Sequence, residues 1–355
     1  MKLVMTLLVR DEADIVDSQL AFHLNAGVDF VIATDHRSQD GTTEILESYA
    51  HDGYLHLITE SGEEFRQPAY VTRMARLAAT EFGANWVLHA DADEFWWPRG
   101  SSLKEVLGSV PRRFGIVSGL MRFFVARPDD GRFFSERMDV RLAATAPIND
   151  PSSRFRATAK ICHRADPDIE VGLGNHSVAS TRLVPLRGWC PLEVLHFPVR
   201  SAAQCERKYV NTHSAWPAGG RSPGTFVERA HDAIEHGGAE TYYTSVTVDD
   251  ADRERGVSDG TLLVDTRLRD VLRTIRDPTV DGVRFHRPQA GESFVLPRPD
   301  ILDETAYAAD VATLAQADEV RLLRRVDQLE RRQRSLDTLV SVRLERRLRR
   351  LRRGE

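Results

Sequence analysis

The chain is expected to be an α/β protein built on a mainly parallel sheet, and three features of roughly its first hundred residues say so. Short continuous apolar runs alternate with longer stretches whose apolar residues recur at helical spacing. The runs do not alternate apolar with polar, as expected for strands covered on both faces. One run ends in a cluster of carboxylates, where open α/β sheets bind ligands. Leu3–Val9 is the first strand. Asp14 to Ala26 is the first helix, with Ile15, Leu20 and Leu24 on one stripe and Gly27 closing it. Phe30–Thr34 is the second strand, and Asp40 to Tyr49 the second helix, with Asp40 or Thr42 as N-cap. Tyr54–Thr59 is the third strand. Pro68 to Phe82 is the third helix, its proline in the first turn, and Trp86–His89 is a short fourth strand. Repeated β-α units imply right-handed crossovers.

The pattern then changes. Ser102 and Glu105 have the spacing of a capping box. Gly115–Ala126, Arg156–His163 and Val178–Pro185 read as strands between polar loops. From Ala203 to about Arg276 the signals are mainly helical, interrupted by turns such as Pro217-Ala218-Gly219-Gly220. Pro278 to Pro299 reads as a connection. Near the end Leu322, Leu329 and Leu336 are seven apart, with Val326, Gln333 and Val340 between them; this is a long amphipathic helix or short coiled coil. The expected organisation is a first unit over 1–215, a mainly helical extension and linker over 216–300, and the amphipathic helix over 301–355.

Composition narrows the function. The 355 residues carry 48 basic and 53 acidic side chains, a net charge of -5, which argues against nucleic acid as a partner. The charge is uneven: Glu319 to Glu355 holds 13 arginines against six acidic residues, so the body is acidic and the tail basic. That tail suits self-association or peripheral contact with anionic lipid. Only Lys2, Lys104, Lys160 and Lys208 are lysines among the 48 basic residues, a bias that suggests a GC-rich genome. Three cysteines with no C-x-x-C spacing indicate a reduced, cytoplasmic setting. The run Leu3–Val9 meets Arg10, Asp11 and Glu12 at once and reads as a strand rather than a signal peptide.

The chemistry centres on Trp86-Val87-Leu88-His89-Ala90-Asp91-Ala92-Asp93-Glu94-Phe95. An apolar strand delivers two carboxylates, one residue apart, to its carboxyl end. Hard oxygen ligands there suit Mn²⁺ or Mg²⁺, which bridge to diphosphate oxygens. A second segment, Asp35-His36-Arg37-Ser38-Gln39-Asp40-Gly41-Thr42, follows the second strand. Asp35 is placed to accept hydrogen bonds from a base or ribose; Asp40 either does the same or caps the helix. Arg10 and Glu12, just after strand one, belong to the same crevice.

Taken together these segments resemble the family-2-type glycosyltransferases with the GT-A fold, in the bacterial branch with an L-x-R-N-E start and a D-x-D-E-F centre. Leu8, Arg10 and Glu12 match the start, with Asp11 where Asn is usual. Asp35, Ser38, Asp40, Gly41 and Thr42 match the second segment, and Trp86, Asp91, Asp93, Glu94 and Phe95 the third. The resemblance covers about residues 1–100 well and 100–210 loosely. It implies a GT-A-like nucleotide-binding mixed sheet with flanking helices. It also implies a nucleotide-sugar donor, a divalent metal, a glycan or lipid-linked acceptor hydroxyl, and transfer with inversion. On this resemblance Arg10, Glu12, Asp35 and Asp91 hold the nucleotide sugar, and Arg73 either reaches it or is solvated. Asp91 and Asp93 bind metal, with His196 in Leu195-His196-Phe197 as a third ligand or a buried structural histidine. The catalytic base is sought among Glu170, His176 and Glu193. Lys208 contacts phosphate or is a surface lysine, Lys160 and His163 are weaker candidates, and Trp97 is the candidate for stacking an acceptor sugar. Two rivals are a nucleotidyltransferase, opposed by the lack of glycine between Val9 and Ala26, and a scaffold with a decayed pocket, opposed by the intact D-x-D-E-F.

Overall fold

The computed structural model describes residues 1–143, 158–214, 225–278, 283–288, 296–297 and 301–353. The chain begins with β1 (Leu3–Val9), α1 (Val16–Asn25), β2 (Phe30–Asp35), α2 (Thr42–His51), β3 (Leu55–Thr59), α3 (Gln67–Thr80) and β4 (Trp86–Asp91). β5 (Glu94–Pro98), α4 (Leu103–Ser109), β6 (Ile116–Phe123), α5 (Phe134–Arg137), β7 (Val140–Leu142), β8 (Ala159–Arg164) and β9 (Glu170–Val171) follow. A 3-10 turn (Leu173–Asn175), β10 (Val178–Ala179) and β11 (Leu192–His196) complete the sheet-forming half. The rest comprises α6 (Ala202–Ser214), α7 (Thr225–Gly237), α8 (Ala239–Val246), α9 (Asp250–Ser258), β12 (Leu262–Val264), α10 (Arg267–Ile275) and α11 (Ile301–Arg353). The turn predicted at Pro217–Gly220 lies outside the described residues.

Eight strands form one mixed sheet in the order β3-β2-β1-β4-β8-β6-β11-β5. β3, β2, β1 and β4 are parallel neighbours, as the β-α pattern predicts. β8 runs antiparallel to both β4 and β6, and β5 antiparallel to β11. All seven residues of β1 are buried, which explains its unbroken apolar run. Gly119 on β6 lets the Trp96 ring lie against the strand, since a Cβ there would come within 2.5 Å of the indole. Trp96 and Trp97 are both buried in this core, so the acceptor-stacking role expected of Trp97 is corrected to packing.

Three predicted elements are revised. β4 extends to Asp91, so that carboxylate ends the strand itself. The strand expected over Val178–Pro185 is limited to Val178–Ala179. Ser102 does cap α4, its hydroxyl accepting from Glu105 N–H at 3.1 Å, but the Glu105 carboxylate returns to the Ser101 N–H at 2.7 Å rather than to Ser102.

The packing crosses the divisions expected from the sequence. Leu268, Leu272 and Ile275 of α10, with Phe285 and Leu296, join the main core around α1 and β1. α6, α7 and α8 share a separate cluster that includes Cys205, Tyr209, Ala230, Ile234, Tyr242 and Tyr243. α11 begins against the sheet, where Tyr307, Val311 and Leu314 pack with Leu120 and Cys190. No described helix is long and apolar enough to cross a membrane.

Candidate active site

Parallel strands bring β1 and β4 side by side in register, Leu8 opposite Asp91. Their carboxyl ends open into a cavity of about 540 Å³, a size suited to a small organic ligand. Arg10, Glu12, Asp91, Asp93, Glu94, Lys160, His176, His196 and Lys208 all line it. Nine polar residues from six separate stretches of chain thus meet at one place.

Asp93 is the most heavily held. The Lys208 ammonium donates to its Oδ2, His196 Nε2 lies 3.3 Å from the same oxygen and Arg200 Nη1 4.0 Å. Burial alone would raise its carboxyl, but Lys208 and then His196 outweigh that and hold it well below the usual carboxylate range. Lys160, itself buried, bridges Asp91 Oδ2 and Glu94 Oε1 at 2.8 Å each, and stays protonated because these two carboxylates offset its burial. Arg200 is buried beneath the floor and links Glu12 and Asp14. Glu12 is pushed up to about 7, chiefly by burial, against the pull of Arg200 and Lys208.

Asp93, Glu94 and His196 each present one ligand atom, and these atoms lie within 4.8 Å of one another. Two carboxylate oxygens and an imidazole nitrogen fit a divalent cation such as Mn²⁺ or Mg²⁺. His196 Nδ1 and Thr158 Oγ1, both of residues that line this cavity, are buried without a hydrogen-bond partner, and Arg10 Nε has only the Asp11 carboxylate at 3.7 Å. Buried polar atoms are nearly always satisfied, so a group of orphans at one cavity marks a place built for a polar ligand. Asp91, expected as a metal ligand, is outside the trio and is held by Lys160 and by Asn175 Nδ2 at 3.4 Å.

The other expected residues divide. His176 lines the cavity, with Nδ1 2.7 Å from the Ala159 carbonyl; Nδ1 must therefore carry the proton, leaving the Nε2 lone pair free of it. Burial and then Lys160 lower its pKa, so the ring is neutral near pH 7. Glu193 is not at the cavity. It is buried between Arg122 Nε (2.6 Å), Arg267 Nη1 (2.7 Å) and Arg99 Nη1 (3.2 Å), and although burial opposes it, Arg267 and Arg122 hold the carboxylate far below its usual range. A carboxylate so clamped accepts no proton from a substrate, which corrects its assignment as base. Glu170 is exposed on β9, away from the cavity lining.

Asp35 also turns away. Its oxygens accept from Ser38 N–H (3.1 Å) and Thr43 Oγ1 (2.5 Å), fastening the loop before α2. Asp40 accepts from Thr42 N–H (3.1 Å) and Ala13 N–H (3.1 Å), while Gly41 takes a φ of 96° that favours glycine. Both residues shape the crevice wall without lining the cavity, and Asp40 is corrected to a loop tie. Asp11 likewise faces Gln39 N–H at 2.7 Å and Asn211 Nδ2 at 2.6 Å. Arg73 pairs with Glu60 at 2.6 Å outside the cavity lining. His163 is buried in the sheet, 3.0 Å from His89.

Sequence reasoning undervalued Lys160 and Lys208 and missed Arg200. The available signal was scarcity: in a chain that uses arginine almost everywhere, two of its four lysines line this cavity. A compact ammonium beside carboxylates is not interchangeable with a guanidinium.

No family model matches the chain, and no curated sequence is similar to it. Solved structures show a faint likeness. S. aureus TarS in complex with UDP is 12% identical, over 83% of this chain and 99% of that one, with a TM-score of 0.32. The mannosyltransferase PcManGT from Pyrobaculum calidifontis, in complex with GDP-Man and Mn²⁺, is 17% identical over 77% and 79%, with a TM-score of 0.30. A mycobacterial protein is 19% identical over 37% of this chain and 43% of its own, with a TM-score of 0.25. At such scores the likeness carries no argument about what this chain does.

Proposed function

We propose that the protein is a metal-dependent glycosyltransferase of GT-A type, moving a sugar from a nucleotide-sugar donor to an acceptor hydroxyl with inversion. The observation that carries this reading is the cavity itself. Asp91, Asp93, Glu94, His196, Lys160, Lys208, Arg10 and Glu12 converge there with buried polar atoms that lack partners. The motif resemblance supports it independently.

In this reading Asp93, Glu94 and His196 would hold a Mn²⁺ or Mg²⁺ ion, which when bound would supply positive charge to stabilise a leaving diphosphate. Lys208 and Lys160, released in part from Asp93 and Asp91, turn their ammonium groups to phosphate oxygens. Arg10 and Glu12 sit at the nucleotide side, and Asp35 and Asp40 fix the loop that bounds it. His176, neutral and with an available Nε2, removes the acceptor proton. A glycan or lipid-linked sugar serves as acceptor.

A thermal-shift series with UDP-, GDP-, dTDP- and CDP-sugars, each with and without Mn²⁺, tests the reading. Native-state binding raises the melting temperature. A metal-dependent rise with one nucleotide, lost in Asp93→Ala, is expected. Normal sugar transfer by a folded Asp93→Ala protein would overturn the metal assignment.

A further inference from the structure

α11 carries an apolar face that none of the described residues covers. Every described residue from Leu322 to Leu336 is exposed, and Leu322 (53%), Val326 (52%), Leu329 (49%) and Leu336 (57%) keep about half their surface in water. With Leu323 (63%), which falls at the flanking e position, that makes five exposed large apolar side chains on one helix, a patch that soluble surfaces rarely leave bare. The remainder of the helix explains what covers it.

The apolar residues follow a seven-residue repeat. Leu322, Leu329 and Leu336 occupy the d positions; Val326, Gln333 and Val340 occupy the a positions. A β-branched residue at a with leucine at d selects two parallel strands, and one polar residue at a fixes the register. The flanks agree. Arg325 and Arg332 fall at g, and Glu330 and Asp337 at e. In a parallel pair each g residue meets the following e residue of the other strand, so Arg325 meets Glu330 and Arg332 meets Asp337. In an antiparallel pair g meets g and e meets e, which sets arginine against arginine and carboxylate against carboxylate.

We propose that α11 pairs with α11 of a second copy of this chain, as a parallel, in-register, two-stranded coiled coil over residues 322–340. The full-length protein then sediments at twice the 40.0 kDa chain mass. Leu329→Asp raises the dimer dissociation constant by at least about tenfold, the least expected from losing a buried leucine. Arg325→Glu with Arg332→Glu also weakens the dimer, and adding Glu330→Arg with Asp337→Arg restores it.

Orientation is read with Val326→Cys, the three native cysteines being buried. Mild oxidation links this variant into a covalent dimer only if residue 326 faces its own counterpart. A monomeric wild type at tens of micromolar, a dimer indifferent to Leu329→Asp, or failure of the charge swap to restore pairing would each overturn the proposal. So would a monomer that sediments with phosphatidylglycerol vesicles through this face. Because Arg325, Val326, Leu329, Glu330 and Arg332 are exposed, an unchanged melting temperature of the body confirms that each variant is folded.

Discussion

Two buried carboxylates, Glu193 and Asp93, stand in similar company and do different work. Each is surrounded by cations and each is held ionised against its own burial. Glu193 is gripped by three guanidiniums, and those arginines reach onward: Arg99 to Glu304, Arg122 to Asp310 and Arg267 to Asp265. Tyr307 of α11 seals the cluster, with the Arg99 guanidinium 3.7 Å over its ring. Asp93 instead borders a cavity, and its closest cation, Lys208, is about a quarter exposed. A fork of fixed donors locks a carboxylate; a single flexible ammonium beside open space is able to let go. The difference separates a charge that ties the fold together from one poised to change partners.

Breaking the first cluster should have the largest effect. Glu193→Ala leaves three arginines around an empty site and is expected to cost about 3–5 kcal/mol of stability. Asp93→Asn is expected to cost no more than about 2 kcal/mol, because Lys208 returns to water. Denaturant titration of both variants decides it, and equal losses would erase the contrast. Next, Lys208→Met is expected to leave the melting temperature nearly unchanged while weakening nucleotide-sugar affinity about 10- to 100-fold. Calorimetric titration reads this, and unaltered affinity would return Lys208 to a purely structural role.

The smallest effect concerns two buried histidines, His23 and His163. His23 donates from Nδ1 to the Gln19 carbonyl and accepts from Trp96 N–H at Nε2, so a second proton has no place there. Burial lowers both His23 and His163 to about 4. Between the ordinary value of 6.5 and about 4 the unfolded chain takes up protons that the folded rings refuse. Stability therefore falls as pH drops through that window, with Glu12 acting in the opposite sense because protonation relieves its burial. Melting temperatures of a Glu12→Gln variant, which removes that opposing contribution, should decline from pH 7 to pH 4; a flat profile there would show that the rings are not held neutral.

Much of the sheet was legible because β1, β2 and β4 are buried along nearly their whole length and leave short apolar runs, while β3, at the sheet edge, keeps His56 and Thr59 exposed. α1 was underread. Its stripe suggested one buried side, yet all ten residues are buried, because Phe285 N–H and Arg287, more than 260 residues later, reach back to Asp17. No local pattern reports such a contact. β5 was hidden because Asp91-Ala92-Asp93 read as the end of a strand, while Glu94–Pro98 starts another.

In the site, Asp91, Asp93 and His196 were visible as motif residues. Lys160 was visible only as a weaker candidate and Arg200 not at all, because their roles depend on β8 pairing beside β4 and on the loop before α6 approaching Asp93. Glu193 carries a simpler lesson. It lies three residues from His196 on β11, and strand side chains alternate between faces. Two residues an odd number apart on one strand do not share a pocket, so placing His196 at the cavity already sent Glu193 to the other side.

From Ile301 to Arg353 the sequence of α11 contains neither proline nor glycine, so nothing in it serves as a hinge. Between Leu314, which belongs to the buried cluster shared with the sheet, and Leu336 the helix rises about 33 Å at 1.5 Å per residue. It is therefore a strut: whatever grips its outer end is kept at a set stand-off from the cavity at the ends of β1 and β4. Two such struts joined in parallel share a symmetry axis along their length, which puts both bodies at one end of the shaft. On the proposed pairing, a ligand with repeated units held in one cavity is presented to the other at the high local concentration that tethering provides.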